Sequence, residues 1–100
     1  MLEAAGAVAP FFVEPAALAR HAGTYRSDEG MRAKVGLHDG RLLVFPEDDP
    51  AVWLLPVGAS AFTPIGLADA GVTFDIVDGA TVGLTFTQGP MTMYLRRIGD

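Results

Sequence analysis

From Thr24 onward, short runs of β-branched and aromatic residues alternate with turn residues, and this cadence constrains the fold more than any other feature of the chain. The predicted strands are Thr24–Ser27, Met31–His38, Arg41–Pro46, Ala51–Val57, Ala61–Thr63, Val72–Val77, Thr81–Gln88 and Met91–Ile98. Between them stand turn signals such as Asp28-Glu29-Gly30, Asp39-Gly40, Asp48-Asp49-Pro50, Pro64-Ile65-Gly66, Asp78-Gly79 and Gly89-Pro90. Parallel strands need crossovers of about a dozen residues or more, and these connections leave no room for them. The pattern predicts an all-β antiparallel meander.

Side-chain alternation sets the registers. Asp39-Gly40 suits a two-residue type I′ turn, which needs positive φ at both central positions. That turn pairs His38 with Arg41, then Leu37 with Leu42 and Val35 with Val44 on one apolar face. Gly89-Pro90 likewise pairs Gln88 with Met91, Phe86 with Met93 and Leu84 with Leu95. At Asp78-Gly79 a two-residue loop would put Ile76 opposite Thr81 and spoil the face. A three-residue loop, Asp78-Gly79-Ala80, is therefore expected, with Ile76 opposite Val82, Phe74 opposite Leu84 and Val72 opposite Phe86.

A long meander leaves two unpaired edges that invite aggregation. Closure removes them, so the expected architecture is an eight-stranded antiparallel up-and-down barrel whose first and last strands pair, with an open sheet or a sandwich wrapped on the same core as the alternative. A short helix from Pro15 to Ala22 is expected to cover one end. Pro15 suits the first helical position, Glu14 stands at the N-cap, and Val13 and Leu18 are spaced as a staple across it. Gly23 stands where a left-handed C-cap is wanted. Residues 1–12 read as a tail or linker and residues 13–100 as one barrel domain, a division that suits 100 residues. The many bulky inward residues favour a filled interior over a ligand cup.

Half the residues are apolar, which argues against a disordered chain. The absence of cysteine removes disulfides and thiolate metal sites. Seven basic against twelve acidic residues, net −5, argue against nucleic-acid binding. No apolar run approaches the ~20 residues of a membrane-spanning helix. No Lys or Arg precedes Arg20, so the start does not read as a signal peptide.

The third and fourth strands are apolar on both faces. By the hairpin register Leu43 and Phe45 point outward beside Gly36 and Lys34. The next strand presents either Trp53 and Leu55 or Val52 and Leu54. An exposed apolar patch on a small protein marks an interaction surface, and the candidate interface is Leu43, Phe45, Trp53 and Leu55. The competing reading is that the Pro64–Gly71 loop or the Phe11-Phe12 tail folds over it.

Catalytic chemistry is thinly represented. Nucleophilic catalysis needs an activated Ser, Thr or Lys with a base in reach. Ser27 and Ser60 lie in neither a Gly-x-Ser-x-Gly nor a Ser-x-x-Lys context. His38 reads as a solvated strand end and His21 as a helix C-terminal residue favoured by the dipole. Asp28-Glu29 and Glu47-Asp48-Asp49 read as solvated turns, without the ligand spacing of a calcium loop. Of Arg96 and Arg97, one faces in near the barrel mouth and the other out, which suits a local carboxylate or carbonyl partner. No catalytic set, cofactor site or metal site is expected from these residues.

The string His21-Ala-Gly-Thr-Tyr-Arg-Ser27, the run Val35-Gly-Leu-His-Asp-Gly-Arg-Leu-Leu43, the Leu55-Pro-Val-Gly58 spacer, Phe62, the Val72-Thr-Phe74 strand and the closing Tyr94-Leu-Arg96 have a familiar look. Together they resemble the lipocalin-like domain at the C-terminus of many bacterial and archaeal serine hydrolases of the β-lactamase and penicillin-binding-protein-like peptidase group. The resemblance spans about residues 12–98, on the scale of one domain. It implies a barrel that accompanies a hydrolase whose Ser-x-x-Lys nucleophile lies in an upstream domain, so no catalytic residue is carried over. The expected function is a non-catalytic accessory or interaction module that docks on a serine hydrolase domain or on a second copy of itself. The alternative is a small-molecule-binding barrel. A stand-alone chain would be cytoplasmic, and a fragment of an exported hydrolase periplasmic.

Overall fold

A computed structural model describes residues 13–99. Eight strands follow a short helix α1 (Pro15–Ala19): β1 (Gly23–Ser27), β2 (Arg32–His38), β3 (Arg41–Pro46), β4 (Val52–Pro56), β5 (Ala61–Pro64), β6 (Ala70–Val77), β7 (Ala80–Gln88) and β8 (Met91–Gly99). Each strand pairs antiparallel with its neighbours in chain order, and β1 pairs with β8, so the sheet is a closed barrel. Closure leaves no strand at a sheet edge over its whole length.

Two hairpins follow the side-chain pattern directly. His38 pairs with Arg41, Leu37 with Leu42 and Val35 with Val44. Asp39 and Gly40 both have positive φ, 52° and 75°, as a type I′ turn requires. Gln88 pairs with Met91, Phe86 with Met93 and Leu84 with Leu95.

The β6–β7 hairpin differs from expectation near its turn. Val77 pairs with Ala80, so the loop is two residues, Asp78-Gly79, with φ of 51° and 80°. Ile76 pairs with Thr81 and Asp75 with Gly83, which leaves Val82 as the extra residue of a β-bulge. Beyond it, Phe74 meets Leu84 and Val72 meets Phe86, as alternation requires. The bulge absorbs the residue that a three-residue loop was expected to absorb. Its consequence is local: Ile76 is 38% exposed, and Thr81 is buried in the place expected for an apolar side chain.

The helix is shorter than the sequence suggests, ending at Ala19 with Arg20 as its C-cap. Pro15 opens it, and the Glu14 carbonyl accepts from the Ala17 and Leu18 amides while its side chain makes no capping bond. Gly23 is the first residue of β1 rather than a helix cap. A Cβ there would stand 2.6 Å from Arg97 Nε and 2.7 Å from the Gly99 carbonyl, so only glycine lets Arg97 cross the strand. The helix lies against β2 and β3, and Leu18 plugs the core beside Val13.

The interior is continuous. Tyr25, Val35, Leu42, Leu54, Phe62, Val72, Phe74, Leu84 and Leu95 are buried, with Leu37, Val44, Phe86 and Met93 packed against them. Burying a large apolar side chain contributes roughly 1.5–3 kcal/mol. These residues come from every strand of the barrel, so the contribution closes the ring as a unit.

Candidate functional site

The outward side of β3 and β4 follows from the register. Leu42 pairs with Leu54 in the core, so their neighbours Leu43 and Trp53 pair on the opposite face. Gly36 pairs with Leu43 on its other side, and Lys34 pairs with Phe45. Leu55 pairs with Thr63. The outward pair on β4 is therefore Trp53 and Leu55, and all four candidate interface residues share one face. Leu43 and Trp53 are half-buried, whereas Phe45 is 39% and Leu55 42% exposed.

Two further residues complete this face. The Ile65 amide donates to the Trp53 carbonyl at 2.9 Å, which sets Ile65 beside Trp53 just past the end of β5, and Ile65 is 52% exposed. The segment expected to cover the patch thus contributes an apolar residue at its border. Gly36 lies mid-strand, and a Cβ there would come within 3.2 Å of His38 Nε2 and 4.0 Å of Phe45. The His38 and Phe45 rings meet edge to face over it, 5.8 Å apart. His38, expected to be a solvated strand end, is also part of the border of this face. Phe11 and Phe12, the other cover considered, lie outside the described residues.

A second cluster sits inside the barrel, where the chain passes from α1 into β1. His21 is 1% exposed rather than solvated at a helix end. Its ring stacks on Phe74 with centroids 4.1 Å apart, and meets Phe62 edge to face at 5.9 Å. Nδ1 of His21 and the Thr81 hydroxyl share a hydrogen bond of 2.7 Å. The Tyr25 hydroxyl donates to the His21 carbonyl at 2.6 Å. Arg97 faces inward as expected of one of the two arginines and donates to the Ala22 carbonyl at 2.8 Å. Arg96 faces outward, 4.0 Å from Asp28, with both side chains solvated.

Burial, with the charges of Arg20 and Arg97 nearby, lowers the His21 pKa from 6.5 to about 4. Burial pushes the Tyr25 phenol up to about 12, against the opposing pull of Arg97. Both groups are therefore neutral at pH 7, and each is hydrogen-bonded. The two serines stand apart from this cluster: Ser27 accepts from the Met31 amide at 3.0 Å, and the Ser60 carbonyl accepts from Phe74 at 2.8 Å.

Two depressions open at the barrel's rims. One, of about 480 Å³, lies along Ala80–Val82 and Arg96, Arg97 and Gly99. The other, of about 450 Å³, lies between the β1–β2 turn and the first half of β8. Neither is lined by the core residues Val35, Leu42, Phe74 or Leu84, which fill the barrel axis. Among the described residues, no group of three His, Asp or Glu side chains converges on a metal-sized space. No helix among them is long and apolar enough to cross a membrane.

The fold and these features define a closed, eight-stranded antiparallel β-barrel with a hydrogen-bonded polar cluster inside and an apolar face outside. No family model, curated protein or solved structure matches the chain.

Proposed function

We propose that the chain is a non-catalytic interaction module that pairs with a second copy of itself through the outward face of β3 and β4. The observation that carries this reading is the shared outward placement of Leu43, Phe45, Trp53 and Leu55. Apolar side chains on the solvent side of a small barrel lose water contact favourably only when another surface covers them.

A patch flanked by charges of both signs, Arg41 and Asp39 at one end and Lys34 with Glu47 at the other, suits a copy of the chain as the cover. The outward residues of β3 run Arg41, Leu43, Phe45, and the chain then turns through Glu47, Asp48 and Asp49. A two-fold axis lying across the strands turns one copy end for end against the other. Apolar side chains then meet at the centre, each copy presenting the same patch to the other, as an isologous contact requires. The resemblance to a hydrolase-associated domain supplies the competing occupant, a serine hydrolase domain.

Light scattering over a range of protein concentrations tests the proposal. Pairing predicts a mass that rises towards twice the 10.5 kDa of one chain. The double substitution Phe45→Glu and Leu55→Glu should hold the protein at the mass of one chain without unfolding it. A single-chain mass at every concentration, or a dimer indifferent to these substitutions, overturns self-pairing. Binding of a single chain to a hydrolase domain would move the same face to that partner.

A further inference from the structure

We propose that Met31, Met91 and Met93 form a binding site for a soft monovalent cation of the Cu(I) class. The chain has four methionines; the other, Met1, lies outside the described residues. The remaining three line one depression at a rim of the barrel, although Met31 stands 60 positions from Met91, the nearer of the other two.

Register brings them together. Leu95 is buried, so alternation along β8 puts Met93 and Met91 on the same inward side, progressing to the rim. The pairing of β8 with β1 stops at Ser27 opposite Leu95. There β1 turns away, and the turn delivers Met31 beside the uncovered half of β8. Two bonds to one residue hold Met31 in place. The Ser27 amide donates to the Met31 carbonyl at 2.8 Å, and the Met31 amide donates to Ser27 Oγ at 3.0 Å.

All three methionines line the same depression of about 450 Å³, and Asp28 and Glu29 stand on its wall. Thioether sulfur is a neutral, polarisable donor, and soft sulfur ligands select Cu(I) over harder cations. The two carboxylates add negative potential where a cation would enter. Asp28 also stands 4.0 Å from Arg96, but both side chains are solvated, so that pairing is weak. A merely space-filling plug would bury its side chains. Met31 and Met91 are instead 47% and 45% exposed, and only Met93 packs against the core.

The site is independent of the self-pairing face and is tested separately. The full chain is titrated anaerobically with Cu(I) in competition with a chromogenic Cu(I) chelator, and with Ag(I) while the methionine methyl resonances are followed by NMR. One equivalent should bind, the methyl signals of Met31, Met91 and Met93 should move, and that of Met1 should not. Zn(II) and Mg(II) should leave the spectrum unchanged.

Replacing all three by leucine keeps their apolar volume and should abolish binding while the barrel's circular dichroism is retained. Should the triple variant fail to fold, Met31→Leu and Met91→Leu, both at exposed positions, should each weaken Cu(I) binding by about tenfold or more, the scale on which even outer-shell losses register. Failure to withdraw Cu(I) from the chelator, equal retention of Zn(II), or unchanged affinity in these variants overturns the proposal.

Discussion

The cluster around His21 and the outward face of β3 and β4 depart from ordinary sorting of side chains in opposite directions. The first puts an imidazole, a phenol and a hydroxyl where apolar groups belong. The second puts phenylalanine and leucine where polar groups belong. Their partners separate the two cases. Inside, His21 reaches Thr81 and Phe74, and Tyr25 reaches the His21 carbonyl, so these groups find partners within the chain itself. Outside, Phe45 and Leu55 keep about two-fifths of their surface in water after the chain has folded. A departure completed within the fold is structural. One left incomplete by the fold is where a second molecule has something to add.

Acid should break the inner region first and produce the largest effect. His21 has a pKa of about 4 in the folded barrel, below its ordinary 6.5. The unfolded chain therefore takes up this proton first, and stability declines as the pH falls from above 6.5 towards 4. The full interval corresponds to about 3 kcal/mol. Denaturant unfolding followed from pH 7.5 to 4 should show this decline, and a His21→Gln variant should lack that part of it. A barrel equally stable at both pH values would mean that the protonated ring finds solvent without unfolding.

A smaller effect is expected from Thr81→Val, which keeps the shape of the side chain and removes its hydroxyl. Nδ1 of His21 then loses its 2.7 Å partner inside the core. An unsatisfied buried polar group costs about 1–3 kcal/mol, and chemical unfolding at pH 7.5 should register a loss of that size. No loss would show that the hydroxyl is a passenger of the bulge rather than the reason for its inward turn.

The two regions were unequally legible in the sequence, for a physical reason. The outer face is written in strict alternation: once Asp39-Gly40 sets Leu37 against Leu42, the outward positions of Leu43 and Phe45 follow. Barrel closure was equally accessible, since the connections are short and β1 and β8 are the ends of one meander. The inner cluster depends on events that alternation does not encode. A three-residue loop and a two-residue loop with a bulge at Val82 give the same pairing from Asp75 and Gly83 onward. They differ only in whether Thr81 meets the core. The helix is similar: an end at Ala22 leaves His21 on a helix, whereas the observed end at Ala19 lets the next turn carry its ring inward. Ile65 was hidden because Pro64-Ile65-Gly66 has the composition of a turn, although its amide continues the ladder to Trp53. Gly36 was the available signal for the His38 and Phe45 pair, since a glycine inside a strand often marks a close approach.

The smallest effect is expected on the outer face, and it tests whether that face is available to another molecule. Leu55→Thr keeps a strand-favouring side chain and shortens one that is 42% exposed. Only the buried part of its surface contributes to folding, so the single chain should lose about 1 kcal/mol or less. Truncation of a core residue such as Leu54 or Leu42, directly behind the same strands, costs about 2–5 kcal/mol. Unfolding should be measured at a concentration where light scattering reports single chains, because pairing would add its own stabilisation. A core-sized loss from Leu55→Thr would place Leu55 in the barrel's own packing and remove the incompleteness on which self-pairing rests. A small loss in the single chain, joined to weaker association at high concentration, would locate the contribution of Leu55 in the contact between copies.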